Sequence, residues 1–256
     1  MSGALAGRAV LVTRPAGLSG HLSELLHAQS CEAILLPAIE MLPPDDPARL
    51  EAIIGRLDSF QIAVFISPSA VARAHTAVSA TRGWPTGLRY AAVGGGTAKA
   101  LRDIGIAGVL APEGRGDSEA LAALPELADV AGQRIVIFRG QGGREYLREA
   151  LEGRGAYVEY AECYRRAVPT TDTAPLIERW RGGGIDAVCI TSAQGLDNLL
   201  ALLGPVGAAL LRATPVFVPH PRVADAARRL GVLQVMVTDP ADEGLVAALA
   251  AFFARV

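Results

Sequence analysis

Six segments of this chain combine glycine, hydroxyl side chains and arginine in the way that anion-binding loops do. Each segment follows a short apolar run, and most precede a stretch with helical periodicity. Free N–H groups at the start of a helix, together with the positive end of its dipole, favour anions. The segments are residues 13–17, 67–69, 94–97, 139–144, 191–193 and 219–222. N-capping by Ser and Thr explains any one of them, but six together predict a site for a polyanionic ligand.

The candidate ligand-binding residues are the small, hydroxyl-bearing or basic members of these segments. They are Thr13, Arg14, Ser67, Ser69, Gly95, Thr97, Arg139, Gly142, Gly143, Arg144, Thr191, Ser192, Ala193 and His220. Arginine guanidinium groups pair well with carboxylates and phosphates, so the three arginines are the strongest candidates for direct contacts with an anion.

Other kinds of site are poorly supported by the same residues. Gly94 and Gly96 begin a dinucleotide fingerprint, but Lys99 occupies the position of its third glycine, and the segment lacks the ending of a phosphate-binding P-loop. The four histidines are scattered, and metal-binding and G-x-S-x-G patterns are missing. We therefore expect no metal and no cofactor.

Composition indicates a globular protein without a nucleic-acid partner. The chain has 256 residues, 51% of them apolar, and 24 basic against 26 acidic residues give a net charge of −2. That charge excludes a large basic face. Three cysteines far apart, Cys31, Cys163 and Cys189, predict a reduced, cytoplasmic protein. The longest uncharged apolar stretch, Leu199–Leu211, contains Pro205, and the apolar run at residues 9–12 is too short for a signal peptide, so we expect no membrane contact.

The chain repeats itself with a shift of about 125 residues. Under this shift residues 7–14 fall on 132–139, Ser67 falls on Ser192, and residues 92–94 fall on 217–219. Exact identities are few, but element type and turn position stay in phase over about 105 residues. The pattern predicts an internal duplication.

The elements that carry the loops are short strands alternating with helices. Apolar, β-rich runs predict strands at residues 10–13, 34–36, 62–66, 90–93, 109–111, 135–138, 157–160, 187–191, 216–218 and 235–238. Helical patterns lie at 19–28, 70–79, 97–104, 145–152, 195–203, 223–230 and 243–253. This alternation predicts an α/β fold with doubly wound parallel sheets, in which ligands bind at the carboxyl ends of the strands. Two proline-bounded extended segments, 37–44 and 163–169, interrupt the alternation and predict linkers.

The loops also carry motifs that resemble one known family. The motifs are Val12-Thr13-Arg14-Pro15, residues 65–71, residues 93–101, residues 138–145, Cys163-Tyr164-Arg165-Arg166 and Ile190-Thr191-Ser192. In this order and spacing, over the whole chain, the sequence resembles the uroporphyrinogen-III synthase family. Two departures from the family pattern are visible: Ser69 stands where the family often has Asn, and residues 219–222 are only loosely patterned in the family.

The resemblance implies two α/β domains joined by a two-stranded linker. Residues 1–36 and 169–256 would form the first domain, residues 45–161 the second, and residues 37–44 and 162–168 the linkers. The domains would then cut across the sequence repeat, which the repeat alone does not predict.

The resemblance implies a cofactor-independent hydro-lyase of tetrapyrrole and haem biosynthesis. It would cyclise hydroxymethylbilane, a linear tetrapyrrole with eight carboxylates, to uroporphyrinogen III, with loss of water and inversion of the last ring. Backbone N–H groups with Arg14, Arg139 and Arg144 would bind the acetate and propionate groups, and Tyr164 is the candidate proton donor to the leaving hydroxyl. Alternatively, Tyr164 is only a half-buried strand residue.

For quaternary structure and partners, we expect a monomer whose partner is the linear tetrapyrrole, with transient contact to the preceding pathway enzyme. Two other functions remain open on the residues alone. One is a two-lobed cytoplasmic binding or sensor module for a small polyanion, and the other is a phospho-sugar transferase.

Overall fold

The chain alternates short strands with helices along its length. A computed structural model describes residues 3–114 and 116–255. The strands are β1 Ala9–Val12, β2 Glu32–Leu35, β3 Glu40–Leu42, β4 Ile62–Phe65, β5 Arg89–Ala92, β6 Arg134–Gly140, β7 Tyr157–Ala167, β8 Ala187–Cys189, β9 Val216–Val218 and β10 Val235–Val237. The helices are α1 Gly20–Ala28, α2 Pro47–Gly55, α3 Pro68–Ser79, α4 Gly95–Asp103, α5 Ser118–Ala122, α6 Tyr146–Glu152, α7 Ala174–Arg181, α8 Ala193–Ala213, α9 Pro221–Arg229 and α10 Asp242–Phe253.

Contacts divide the chain into two units, each built around one sheet. The first unit combines the segment that ends at Glu40 with the segment that begins at Ala167, and the second unit is Met41–Arg166. The sheet of the first unit has the order β10-β9-β8-β1-β2, and its strand pairs are parallel. The sheet of the second unit has the order β3-β7-β6-β4-β5, and β4 to β7 pair in parallel. The predicted α/β class with parallel sheets is confirmed.

Helices cover both faces of the sheet in the first unit. Leu11 of β1 points into a cluster with leucines of α8, and Val10 and Val12 point into a second cluster with leucines of α1 and α10. All four residues of β1 are buried. A strand covered on both faces has apolar residues at successive positions, which explains the unbroken apolar run in the sequence.

The second unit repeats this arrangement with different helices. Phe65 of β4 stacks on Phe138 of β6 with ring centroids 4.8 Å apart, in a cluster that also contains residues of α2, α3 and α4. The other face carries Ile62 and Val64 with residues of α5 and α6. The stacked pair joins the two central strands, so it stabilises the sheet where the loops that follow β4 and β6 begin.

The structure differs from the sequence prediction at one strand and at three helices. The strand expected at residues 109–111 is a single bridge between Leu110 and Ala91. The segment expected as a second linker is extended, as predicted, and continues β7 to Ala167 with β3 as its neighbour in the sheet. Helices α2, α5 and α7 were not predicted. A signal for α2 was present, because Asp46 caps the Arg49 N–H at 3.0 Å and Pro47 occupies the first helical turn.

The apolar stretch around Pro205 contains a break between two helical segments of α8. The helix expected at residues 195–203 is interrupted directly after Leu203, as predicted, because Gly204 has a left-handed φ of 63°, and a second helical segment follows to Ala213. Among the described residues, α8 is long and apolar enough to cross a membrane by length and composition. Leu196, Leu199 and Leu203 of this helix belong to the core of the first unit.

Candidate functional site

The six predicted loops lie at the carboxyl ends of parallel strands. In the second unit, residues 139–144 end β6, residues 67–69 follow β4 and residues 94–97 follow β5. In the first unit, residues 13–17 follow β1, residues 191–193 follow β8 and residues 219–222 follow β9. These strands are neighbours in their sheets, so the three loops of each unit line one edge of it.

Three of the predicted residues cap helices at these edges. The Ser67 hydroxyl accepts from the Ala70 N–H at 3.1 Å, and the Ser192 hydroxyl accepts from the Gly195 N–H at 2.9 Å. His220 does the same with its ring, where Nδ1 accepts from the backbone N–H of Arg222 at 3.1 Å. In a neutral ring this bond leaves the proton on Nε2 of an exposed side chain, which makes Nε2 a donor.

The glycine loop after β5 offers backbone rather than side chains. Gly95 and Gly96 are exposed in the first turn of α4, whereas Thr97 is buried. Gly94 must be glycine because a Cβ there would lie 2.7 Å from the Cα of Gly116. The surface of this loop therefore presents free N–H groups of a helix N-terminus, and the Thr97 side chain packs inside.

Two predicted residues after β1 are engaged within the first unit. The buried Thr13 hydroxyl donates to the Cys189 carbonyl at 2.8 Å. Arg14 Nη1 lies 2.6 Å from Asp242 Oδ1, and the two side chains are only 16% and 13% exposed. The charge of Arg14 is thus balanced by a carboxylate in the first turn of α10, a partner that the sequence analysis did not identify.

Arg139 is also engaged, inside the loop that follows β6. Its Nε donates to the Gly140 carbonyl at 3.2 Å, Nη2 donates to the Gly142 carbonyl, and Nη1 lies 3.1 Å from Glu145 Oε1. Its side chain is 4% exposed. The guanidinium carbon stands 4.3 Å from the centroid of the Tyr160 ring, in the geometry of a cation–π contact. The expected anion-binding side chain therefore points into its own loop.

Glu145 and Tyr160 complete this arrangement, and the sequence analysis missed both. The Tyr160 hydroxyl donates to Glu145 Oε2 at 2.8 Å. This bond, followed by the bond from Arg139, holds the pKa of Glu145 below its usual range. Burial, followed by the bond to Glu145, raises the pKa of Tyr160 to about 12. Glu145 therefore stays ionised and Tyr160 stays neutral over the physiological range.

Gly142 and Gly143 form the exposed turn of the same loop. Their φ values of 76° and 104° are left-handed, which favours glycine. A Cβ on Gly143 would also lie 2.8 Å from Nη2 of Arg139. The loop thus depends on glycine both for its turn and for the close approach of the guanidinium.

Tyr164 occupies the carboxyl end of β7 beside this loop. The β6–β7 register shifts between Arg139 and Gly140, a β-bulge that aligns Gly140 with Tyr164. The ring packs against Gly140, and the hydroxyl lies 3.3 Å from Ser67 Oγ. Tyr164 is 1% exposed, more deeply buried than the half-buried residue considered from the sequence.

The remaining predicted residues are more accessible. Arg144 is 63% exposed and lies 2.5 Å from Glu119 of α5, whose pKa the Arg144 hydrogen bond lowers. Ser69 and Thr191 are half-buried, and Ala193 is the exposed first residue of α8. Arg144 is therefore the one of the three predicted arginines whose guanidinium lies at the surface.

Comparisons with known proteins agree on one family. Residues 20–247 match the family model described as uroporphyrinogen-III synthase HemD. The uroporphyrinogen-III synthase of Salmonella typhimurium is 36% identical over 236 residues, which cover 91% of this chain and 96% of that protein. The Escherichia coli K12 enzyme of the same name is 34% identical over 235 residues, again 91% of this chain and 96% of that protein.

Solved structures share the fold at much lower sequence identity. A mutant uroporphyrinogen III synthase from Thermus thermophilus has a TM-score of 0.64 at 16% identity and covers 98% of this chain and 100% of that one. Uroporphyrinogen-III synthetase from Helicobacter pylori has a TM-score of 0.57 at 12% identity, with 96% and 99% covered.

Proposed function

This chain belongs to the uroporphyrinogen-III synthase family, and on that premise we propose that it cyclises hydroxymethylbilane to uroporphyrinogen III. The observation that carries the proposal is 36% identity over 91% of the chain to a protein of that name. The activity is that of a hydro-lyase in tetrapyrrole and haem biosynthesis.

The proposed chemistry relies on the electrons of the substrate. The C–O bond of the hydroxymethyl group on the first ring breaks, and the hydroxyl leaves as water after it takes up a proton. The azafulvenium-like cation that remains is attacked by the substituted carbon of the last ring, which gives a spiro intermediate. Fragmentation and reclosure then invert that ring. The protein must hold a flexible chain in a folded-back geometry and supply one proton.

Backbone N–H groups are the proposed binders of the substrate carboxylates. The first turns of α3, α4 and α8 begin at the carboxyl edges of the two sheets, where their free N–H groups and dipoles favour anions. The exposed turn at Gly142 and Gly143 adds further N–H groups, and Arg144 adds a charge at the surface. We also propose His220 as a donor through Nε2.

Tyr164 is the proposed proton donor. A phenol is neutral at pH 7 and holds a proton that it can give to a leaving hydroxyl. Its hydroxyl lies 3.3 Å from Ser67 Oγ, at the N-terminus of α3, where the helix dipole stabilises the negative charge that develops when the proton leaves. Because the side chain is 1% exposed, proton transfer requires that the bound substrate uncover the hydroxyl.

The strand register supports an internal duplication in which each sheet contains strands from both copies of the repeat. Val10 pairs with Ala187 in the first unit, and Ile135 pairs with Ile62 in the second. The first members of these pairs differ by 125 positions, and so do the second members. Likewise Ala9 pairs with Glu32, and Arg134 pairs with Tyr157. In each sheet a strand from one copy of the repeat, β1 or β6, therefore pairs with a strand from the other copy, β8 or β4.

The edges of the two sheets follow the same rule. Val235 pairs with Val216 in the first unit, and Leu110 bridges Ala91 in the second, again at positions 125 apart. The chain passes from one unit to the other at Glu40 and again at Arg166, within the segments proposed as linkers, residues 37–44 and 162–168. We also propose that the protein is a monomer and that it lies in the cytoplasm. Three free, buried cysteines support a reducing compartment.

The product isomer tests the function. Hydroxymethylbilane closes on its own to the symmetric type I isomer, so an enzyme must redirect the bond. Purified protein with a chelator present should convert hydroxymethylbilane mainly to type III, measured by chromatography of the oxidised porphyrins. Folded protein that yields only type I at the uncatalysed rate would overturn the proposal and favour a binding module for a polyanion.

A further inference from the structure

Three side chains form a closed network around residues 140–145. Arg139 ends the apolar part of β6, Glu145 directly precedes α6, and Tyr160 lies on β7. Arg139 bonds to Glu145, Glu145 accepts from Tyr160, and the Tyr160 ring lies against the Arg139 guanidinium. We call these three residues the Arg139 network. It joins two strands and one helix at the carboxyl edge of the second sheet.

The hydrogen-bonding groups of Arg139 are engaged inside this network. Each of its three side-chain nitrogens donates to an oxygen of the same loop: the carbonyls of Gly140 and Gly142 and the carboxylate of Glu145. The side chain is 4% exposed. A substrate carboxylate would have to displace Glu145 and enter a buried space to reach the guanidinium. The geometry is that of a support for the loop, since a planar guanidinium holds several acceptors in fixed directions.

The loop needs such support because of its glycines. Gly140, Gly142 and Gly143 are three of the six residues from 140 to 145, and glycine loses more conformational freedom on ordering than any other residue. The bonds from Arg139 restrain the carbonyls on both sides of Gln141. The exposed N–H groups of this turn are among the proposed substrate binders. Their direction is therefore set by groups that do not themselves contact substrate.

Tyr160 and Glu145 act one step further from the loop. The Tyr160 hydroxyl orients Glu145, with 2.8 Å between Oη and Oε2, while the other carboxylate oxygen receives Arg139. Tyr160 precedes Tyr164 by four positions on β7. The same strand thus carries the proposed proton donor and the support for the binding loop.

Resting on the proposed function, we infer that Tyr160 and Glu145 are positioning residues for the cyclisation, because they hold Arg139 so that the turn at Gly142 and Gly143 presents its N–H groups to substrate carboxylates. Tyr160→Phe tests this inference with the least disturbance, since it keeps the ring under the guanidinium and removes only the bond to Glu145. Tyr157→Phe is the matched control, because it removes a hydroxyl from an exposed tyrosine at the first position of β7, three residues before Tyr160.

The first readout is amide hydrogen exchange of the substrate-free protein. Loss of the Tyr160–Glu145 bond should speed exchange about tenfold at the Gln141 N–H, which donates to the Tyr164 carbonyl at 2.7 Å and is therefore the protected amide of this loop. Tyr157→Phe should exchange like the parent chain. Glu145→Ala should match or exceed Tyr160→Phe, and the double variant should add little, because both changes remove the same support.

The second readout is steady-state kinetics with hydroxymethylbilane. Tyr160→Phe should raise KM about threefold to tenfold while kcat stays within about twofold, because it loosens a binding loop and leaves the proton donor in place. Arg139→Lys should lose as much as Arg139→Met, because an ammonium cannot reproduce three directed bonds. If Arg139 instead contacted the substrate anion directly, Arg139→Lys should have a KM close to that of the parent, whereas Arg139→Met should have a raised KM.

The outcomes separate this inference from the proposed function. Suppose that the parent chain makes the type III isomer, while Tyr160→Phe has the amide exchange rates and the KM of the parent. That result overturns the inference and leaves the proposed function standing. If Arg139→Lys has a KM close to that of the parent, the inference is also overturned, and Arg139 is then a residue that contacts the substrate directly. A parent chain that makes only type I overturns the function and with it the role in cyclisation. If the Arg139 variants do not fold, Tyr160→Phe and Glu145→Gln decide the matter, with thermal melting as the check.

Discussion

Gly140→Ala is the smallest change that should displace the proposed proton donor. Gly140 lies opposite Tyr164 at the bulge between β6 and β7. A Cβ added to Gly140 would stand 2.5 Å from Cε2, 2.6 Å from Cζ and 3.0 Å from the hydroxyl oxygen of Tyr164. The φ of Gly140 is not left-handed, so the methyl group acts through this contact and not through backbone strain.

The size of the effect follows from these distances. Carbon atoms of neighbouring side chains normally stay about 3.5 Å apart, so the Tyr164 ring must move by about 1 Å. It is 1% exposed and has little free space, so we expect overpacking to cost about 1–3 kcal/mol in stability. The bond to Ser67, already 3.3 Å long, would stretch or break. A displacement of about 1 Å at a reacting group lowers turnover by up to about 100-fold.

Turnover and thermal melting are the assays for Gly140→Ala. The melting temperature should fall by about 2–4 °C per kcal/mol, and kcat should fall more than KM rises. Gly55→Ala is the control, because a Cβ there meets nothing within 4 Å and the residue ends α2 in the same unit. The cost of Gly140→Ala should shrink in a Tyr164→Leu background, where the clashing ring atoms are gone. If Gly140→Ala has the melting temperature and the kcat of the parent, the steric explanation is wrong.

Three further predictions concern the proton donor, the Arg14 ion pair and the cysteines. Tyr164→Phe should lower kcat by about 100-fold or more with KM nearly unchanged, because the variant lacks a general acid. Steady-state kinetics that show a raised KM and the kcat of the parent would refute the donor role. Asp242→Asn should destabilise the first unit by about 1–3 kcal/mol in urea denaturation, because Arg14 loses its charged partner, whereas the exposed Glu243→Gln should have little effect. Burial raises the pKa of every thiol, so a disulfide reagent at pH 8 should label none in native protein and all three in urea: Cys31, Cys163 and Cys189.

The strands were predictable because burial on both faces leaves an unbroken apolar run. β1, β4 and β8 contain such runs, and each lies within one or two residues of its predicted position. β10 and the bridge at Leu110 lie at the edges of their sheets, where one side of the strand lacks a partner. At an edge, the sequence shows the same apolar run, but fewer residues pair with the neighbouring strand. The strand predicted at residues 109–111 is therefore a single bridge between Leu110 and Ala91.

The candidate site was predictable as loops and not as contacts. The order of strands and turns identified where Ser67, Ser192 and Gly95 would lie, because parallel strands end at one edge. The partners of the arginines were not predictable. Asp242 lies at the opposite end of the chain from Arg14, and no local pattern relates the two residues. Tyr160 had a misleading signal. Its even spacing from Tyr164 predicts the same side of β7, but the bulge between them places the two rings in clusters on opposite faces of the sheet.

The two arginines at equivalent turns of the repeat share one physical requirement. A guanidinium with little exposure is costly without a charged partner, so each unit must supply a carboxylate. The first unit supplies Asp242 from α10, and the second supplies Glu145 from the loop itself. With both charges balanced internally, the substrate carboxylates in the proposed function meet mainly oriented N–H groups. Many weak donors share that binding, which is why loss of one hydroxyl, as in Ser67→Ala, should cost only about 1 kcal/mol. Loss of loop order, which redirects several donors together, should cost more.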